Sequence, residues 1–150
     1  MRVTVGSDER NGLTDAVVAA LREDGHQVDL VGPLADGAEE WADVGAEVGR
    51  RVAVGDSERG VLFCWTGTGA SIAANKVAGV RAALCADADT ARMARKYNHA
   101  NVLVMSLRAT SEPVGREILE AFLDEPEGAD EFDRRNVARV DELDAGRAPS

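Results

Sequence analysis

Short β-branched runs alternate with amphipathic helical patterns along most of the chain. Apolar residues recur at the i, i+3, i+4, i+7, i+8 spacing of a helix at Leu13, Ala16, Val17, Ala20 and Leu21. The run RVTVG precedes this helix, and four further strands are predicted at QVDLVG, GVLFCW, GVRAALC and NVLVMS. Because a helix follows each strand, we predict a parallel sheet with helices on both faces.

The predicted fold class is α/β: a single-domain, Rossmann-like three-layer sandwich with a five-stranded parallel sheet and a C-terminal helix. Residues 1–124 are predicted to form the core, and residues 125–146 an acidic connector and the last helix. Residues 147–150 are predicted to be a disordered tail. The last helix, RRNVARVDEL, has few apolar positions, so we expect it to pack on the core or on a partner subunit.

Composition and charge narrow the partners. A chain of 150 residues is long enough for one domain that folds without disulfides or metals. The net charge of −10, with two lysines, disfavours binding to nucleic acid or anionic membranes. Such a surface suggests a salt-rich cytoplasm, although an ordinary acidic protein is the alternative. We see no signal peptide and no run of the roughly 20 apolar residues that span a bilayer, and we predict a cytoplasmic protein.

The candidate chemistry lies in FCWTGTGASIAANK, residues 63–76. This segment ends the third predicted strand, and open α/β sheets bind ligands at the carboxyl ends of their strands. The polar segments GSDERNG, CADAD and SLRATS follow other strands at the same edge. We expect the N–H groups of residues 66–71 to form a cradle for an oxyanion and to favour the thiolate form of Cys64, which could then act as a base.

Other interpretations of the glycine-threonine loop are weaker but open. Gly67, Gly69 and Asp87 have the spacing of a dinucleotide fingerprint, yet Ile72 occupies the place of its third glycine. A thiol phosphatase loop needs an arginine where this chain has Ala70, so that interpretation is excluded. The structural alternative is a buried strand cysteine followed by a tight turn.

The segment CWTGTGASIAANKVAGVRAALC closely resembles the ribose-5-phosphate isomerase type B family, which includes the galactose-6-phosphate isomerase subunits. The likeness extends to GSDE, NHANVLVMSLR and RNVAR. It implies an aldose–ketose isomerase that acts on a sugar phosphate through an enediolate, without a metal or cofactor, as a homodimer or homotetramer with shared active sites. The alternative is a non-catalytic module on the same fold that binds a sugar phosphate or a nucleotide.

The resemblance also implies a role for individual residues. It makes Cys64 the catalytic base and assigns the site residues Thr66, Tyr97, Asp8, Glu9, Gly67, Thr68, Gly69, Ala70, Ser71, Asn98, Arg108, Arg135 and Arg139. Thr66 and the amides that follow match the anion hole, Asp8 and Asn98 the sugar contacts, and the three arginines the phosphate contacts. Trp41 occupies a position where the family places an aromatic residue, although its helical spacing also suits the core.

Four positions depart from the family pattern. Glu9, Tyr97 and Asn136 stand where the family has histidines, and Trp65 stands where it has glycine. His99 lies two positions after the ring-opening position and is not an obvious substitute for the lost histidine. We therefore expect a sugar-phosphate aldose–ketose isomerase, or a close relative whose substrate has drifted from ribose 5-phosphate. An open-chain substrate, such as a short ketose phosphate, would need no ring-opening acid. Tyr97 could still donate a proton as a catalytic residue, although a tyrosine is a weaker acid than imidazolium.

Overall fold

Five parallel strands form the central sheet of the computed structural model, which describes residues 1–146. The elements are β1 (Arg2–Ser7), α1 (Gly12–Glu23), β2 (Gln27–Val31), a 3₁₀ helix (Gly32–Ala35), α2 (Trp41–Ala53), β3 (Arg59–Cys64), α3 (Thr68–Asn75), β4 (Ala82–Leu84), α4 (Ala88–Asn98), β5 (Val102–Ser106), α5 (Glu112–Asp124) and α6 (Glu131–Ala145). The strand order is β2-β1-β3-β5-β4, and every neighbouring pair is parallel. The predicted fold class is confirmed, while the tail predicted at 147–150 lies outside the described residues.

Strand β3 shows how the sheet acquires two covered faces. Side chains alternate along a strand, so Val61 and Phe63 enter the core shared with α1, α4 and α5, and Leu62 and Cys64 enter the core shared with α2 and α3. All four are buried. The unbroken apolar run of this strand is explained by burial on both faces, as predicted.

Two element boundaries differ from the prediction. Helix α3 begins at Thr68 rather than near Ser71, because Gly67 turns the chain at φ +81° directly into the helix. Strand β4 has three residues, fewer than the run GVRAALC predicted. Its start is displaced because the backbone N–H of Arg81 donates to the Asn101 side chain at 2.8 Å instead of to a neighbouring strand.

Helix α6 buries none of its residues. Its carboxyl end is held beside the start of β4 by an Arg81–Asp141 ion pair of 3.1 Å and by the Gly79 amide, which donates to Asp144 Oδ2 at 2.8 Å. Packing of this helix on a partner subunit stays a prediction. Among the helices of residues 1–146, none is long and apolar enough to cross a membrane.

Candidate active site

The Cys64 thiol lies where β3 ends and α3 begins. Its sulfur accepts a hydrogen bond from the Ala70 amide at 3.4 Å, and the residue is 5% exposed. The amide belongs to the first turn of α3, whose N–H groups carry the positive end of the helix dipole. Strand and helix together direct a positive partial charge at the sulfur.

A glycine is required in the turn between Cys64 and α3. Gly67 has a φ of +81°, and a Cβ atom there would lie 2.5 Å from Leu84 Cδ1 and 3.3 Å from the Met105 carbonyl carbon. The hydroxyl oxygens of Thr66 and Thr68, on either side of this glycine, are 2.8 Å apart and both residues are exposed. The loop therefore presents two hydroxyl groups at the surface above a tightly packed backbone.

The cradle of backbone N–H groups is narrower than the sequence suggested. The Ser71 amide donates to the Gly67 carbonyl at 3.1 Å, because the helix starts early and uses this amide in its first hydrogen bond. The expectation that all amides of residues 66–71 face a ligand is therefore wrong for Ser71. The amides of Thr68 and Ala70 also donate within the chain, to Thr66 Oγ1 and to the Cys64 sulfur. Within residues 1–146, the amides of Gly67 and Gly69 have no acceptor, so these two donors are available to an anion.

Asp8 and Glu9 follow the neighbouring strand β1. Ser7 is in register with Phe63, so Asp8 lies at the same sheet edge as Cys64, one strand away. Asp8 Oδ1 is buried and has no hydrogen-bond partner in the described chain. Burial raises the pKa of Asp8 above its usual 3.8, and the nearby Glu9 carboxylate raises that pKa further. An under-bonded carboxylate is thus present at the edge where the cysteine lies.

Arg108 lies beside the cysteine turn on its other side. The Leu107 amide donates to the Cys64 carbonyl and the Arg108 amide to the Trp65 carbonyl, both at 3.0 Å. The Ser106 hydroxyl donates to the same Trp65 carbonyl at 2.9 Å. These bonds tie the loop after β5 to the loop after β3, and the Arg108 and Trp65 side chains remain exposed.

Trp41 covers the cradle rather than filling the core. A Cβ atom on Gly69 would lie 2.8 Å from the Trp41 ring, and this tryptophan is 46% exposed. The sequence allowed two locations for Trp41, the lining of the site and the core. The i, i+3, i+7 spacing of α2 does not distinguish the first turn of the helix from its buried face.

Tyr97 and Asn98 lie at the opposite edge of the sheet. They end α4, which runs back from the end of β4 to the start of β5. Asn98 lines a cavity of about 360 Å³ between the start of β4 and α6. Cys64 is in register with Ser106, four residues beyond Val102, which corresponds to roughly 13 Å along the strand. One chain does not bring Tyr97 and Asn98 to its own cysteine.

Arg135 and Arg139 lie on α6, at the same edge of the sheet as Tyr97 and Asn98 of α4. Both are exposed on α6, and the Arg135 guanidinium lies 5.8 Å from the Phe132 ring centre. Helix α6 contacts α4, and its carboxyl end lines the same cavity as Asn98. The predicted site residues therefore form two groups: one beside Cys64 at the carboxyl edge of the sheet, and one on α4 and α6.

Comparison with known proteins gives evidence about the family of this chain that does not depend on the site geometry. The family model Ribose/Galactose Isomerase matches residues 3–143. Ribose-5-phosphate isomerase B of Escherichia coli is 34% identical over 133 residues, which cover 89% of this chain and 87% of that protein. D-erythrulose-4-phosphate isomerase of Pectobacterium atrosepticum is 40% identical over 84 residues, 56% of this chain and 55% of that one. The structure of Clostridium thermocellum ribose-5-phosphate isomerase B matches with a TM-score of 0.91 at 32% identity, covering 99% and 100% of the two chains.

Proposed function

The chain belongs to the ribose/galactose isomerase family of sugar-phosphate isomerases, and we propose that it interconverts an aldose phosphate and a ketose phosphate through an enediolate, with Cys64 as the base. The observation that carries the proposal is the hydrogen bond from the Ala70 amide to the Cys64 sulfur at 3.4 Å. A thiolate is the form of cysteine that can remove a proton, and this amide stabilises negative charge on sulfur.

The proposed reaction moves protons and consumes no co-reactant. The Cys64 thiolate takes the proton from C2 of the aldose, and the electron pair forms the C1–C2 double bond as the carbonyl oxygen becomes negative. The amides of Gly67 and Gly69 and the Thr66 hydroxyl donate to the enediolate oxygens. A proton then moves from O2 to O1, and the thiol returns its proton to C1 to give the ketose. Asp8 accepts a hydrogen bond from a sugar hydroxyl.

We further propose that two copies of the chain share each site. The residues beside Cys64 in one chain would meet Tyr97, Asn98 and the α6 arginines of another chain. A single chain holds these two groups of residues at opposite edges of the sheet. Ile72 and Leu84, on the elements beside the cradle, expose 60% and 40% of their surface, which suits contact with a second copy. In a chain with a net charge of −10, paired arginines four residues apart suit a phosphate.

The proposed substrate is a short sugar phosphate that stays open-chain. Tyr97 replaces the histidine that the family resemblance assigns to ring opening, so a ring-opened substrate suits this site best. A four-carbon sugar phosphorylated on O4 has no free hydroxyl with which to close a furanose ring. D-erythrulose 4-phosphate, the substrate in the name of one relative, is of this kind.

The test is an aldose–ketose interconversion assay in molar salt over four- to six-carbon sugar phosphates. It compares the wild type with Cys64→Ala and with Cys85→Ala, the matched control. Cys85 is also buried, and burial, followed by the charge of Asp87, raises the pKa of its thiol to about 11. We expect Cys85→Ala to retain turnover and Cys64→Ala to lose about 10²–10⁴-fold.

Other outcomes are equally informative. Turnover that survives Cys64→Ala would contradict the cysteine base and make Glu9 the next candidate. A folded protein that turns over no sugar phosphate would favour the binding-module alternative.

Hybrid assemblies test the shared site. Cys64→Ala and Asn98→Ala chains are each expected to be impaired alone. A mixed dimer, however, contains one intact site, in which Cys64 of one chain meets Asn98 of the other. Random mixing should therefore restore about a quarter of wild-type turnover per chain, whereas a site confined to one chain predicts no recovery.

A further inference from the structure

His99 directly follows α4 and has a backbone conformation that residues other than glycine rarely adopt. Its φ of +50° and ψ of +39° lie in the left-handed region, which glycine and asparagine tolerate best. The residue is only 9% exposed. Its Nε2 lies 3.0 Å from the Gly128 carbonyl oxygen, and because a carbonyl only accepts, Nε2 carries the proton. Its Nδ1 lies 3.7 Å from Glu127 Oε2.

Arg95 also attaches the end of α4 to the connector between α5 and α6. The residue is 2% exposed, and its guanidinium lies 5.7 Å from the Phe122 ring centre. It donates to the Ala100 carbonyl at 2.6 Å and to the Glu125 carbonyl at 3.2 Å, and Glu127 lies 3.5 Å away. A buried cation is thus neutralised and hydrogen-bonded by the turn after α4 and by the connector.

Gly128 brings the connector against the backbone of α4. Its amide donates to the Lys96 carbonyl at 2.9 Å, and a Cβ atom on Gly128 would lie 2.5 Å from that same oxygen. No other residue type fits there without displacing the connector. Three contacts, from His99, Arg95 and Gly128, therefore fix residues 125–128 to the last turn of α4.

We propose that His99 is a positioning residue that holds the arginines of α6 in place relative to Asn98, so that both meet one substrate. The proposal rests on the proposed function of Arg139 in phosphate binding. Helix α6 buries no residue, so packing within the chain does little to fix its position. The hydrogen bonds that it accepts from Gly79 and Arg81 are at its carboxyl end. The connector fixed by His99 therefore determines where the start of the helix lies.

The test uses the full chain and the His99→Asn variant. Asparagine tolerates the left-handed conformation but is too short to reach the Gly128 carbonyl. His26→Asn is the matched control, because His26 is the other histidine of the chain and contacts the Met1 amino group instead. The readouts are the Kd for inorganic phosphate, measured by calorimetry, and kcat and KM for D-ribose 5-phosphate and D-erythrulose 4-phosphate.

We expect His99→Asn to raise the phosphate Kd and the KM about five-fold, the effect of one lost hydrogen bond, with kcat within about two-fold of the wild type. Gly128→Ala should change the same constants in the same direction, and His26→Asn none. In an Arg139→Ala background His99→Asn should add nothing further, because both changes act through the same contact.

Three results would overturn the proposal. If His99→Asn leaves Kd and KM unchanged while Arg139→Ala raises them, positioning by His99 is wrong and the phosphate role of Arg139 stands. If His99→Asn lowers kcat or the unfolding temperature alone, the histidine is only structural. If Arg139→Ala does not weaken phosphate binding, the arginine assignment fails, and positioning toward it fails as well. Isomerase turnover by the wild type tests the proposed function separately. If the wild type turns over a sugar phosphate, the three results above count against positioning by His99 and not against the isomerase activity.

Discussion

Replacing Gly67 by alanine tests whether the loop after β3 is the oxyanion site. Gly67 has a φ of +81°, and an added Cβ would lie 2.5 Å from Leu84 Cδ1 and 3.3 Å from the backbone at Met105. The Leu84 methyl can move, but the Met105 backbone in β5 cannot move without disturbing the sheet. The Gly67 amide would shift with the loop, and the Gly69 amide with it.

Gly55→Ala separates backbone strain from crowding. Gly55 has a φ of +84°, almost the same as Gly67, but an added Cβ would meet nothing within 4 Å. Both variants pay about 1–2 kcal/mol for an alanine in the left-handed region. Overpacking destabilises Gly67→Ala by about 1–3 kcal/mol more. At about 2–4 °C per kcal/mol, Gly67→Ala should melt several degrees below Gly55→Ala.

The effect on turnover decides the chemical role. Removing one donor from an oxyanion hole costs about 10²–10³-fold in kcat, so we expect about a 100-fold loss for Gly67→Ala and none for Gly55→Ala. Thermal unfolding by circular dichroism and isomerase turnover on the same preparations give both quantities. A Gly67→Ala protein that melts lower but turns over at the Gly55→Ala rate would refute the oxyanion role of this loop.

Three further changes test other parts of the structure. Glu9→Gln removes a charge that raises the pKa of Asp8, so that pKa should fall. The acid limb of the pH profile of kcat/KM should then move to lower pH. An acid limb that stays in place or moves to higher pH would contradict ionised Asp8 as a sugar ligand. Arg139→Ala should raise KM for a phosphorylated substrate about ten-fold, whereas the exposed Arg134→Ala on the same helix should not; equal effects would indicate only a general loss of positive charge. Gly6→Ala places a Cβ 2.7 Å from methyl groups of two valines of α2, so urea unfolding should show a loss of about 1–3 kcal/mol, and unchanged stability would contradict this packing.

The sheet and the cysteine edge were predictable because their signals are local. Cys64 ends a strand, and Asp8 and Arg108 follow strands. Parallel strands with helical crossovers end at one edge, so the grouping of these residues follows from the element order. The length of β4 was not predictable in the same way. The side chain of Asn101, twenty residues away, takes the Arg81 amide out of the sheet ladder. Periodicity carries no information about such a long-range bond.

The α4–α6 group could be assigned only through family resemblance. Tyr97 and Arg139 lie on exposed helix surfaces where hydrophobic spacing is uninformative, and one chain does not place them beside its cysteine. The role of His99 was also hidden. Its sequence position suggested a helix end directed away from the site, and its actual contact is a carbonyl 29 residues later in the connector.

A shared site would make charge part of catalysis in this chain. Two copies that each carry a net charge of −10 repel one another, and at low ionic strength that repulsion opposes the contact that completes each site. At 1 M salt the Debye length falls to about 3 Å, so repulsion between the two surfaces is screened while the buried contacts at Cys64 persist. Salt would then increase turnover through assembly rather than chemistry. The same screening also weakens the binding of phosphate by exposed arginines, so the buried contacts that place α6 would matter more as salt rises. Burial of Arg95 and His99 is consistent with that requirement, because their hydrogen bonds to backbone carbonyls are little affected by ions in solution.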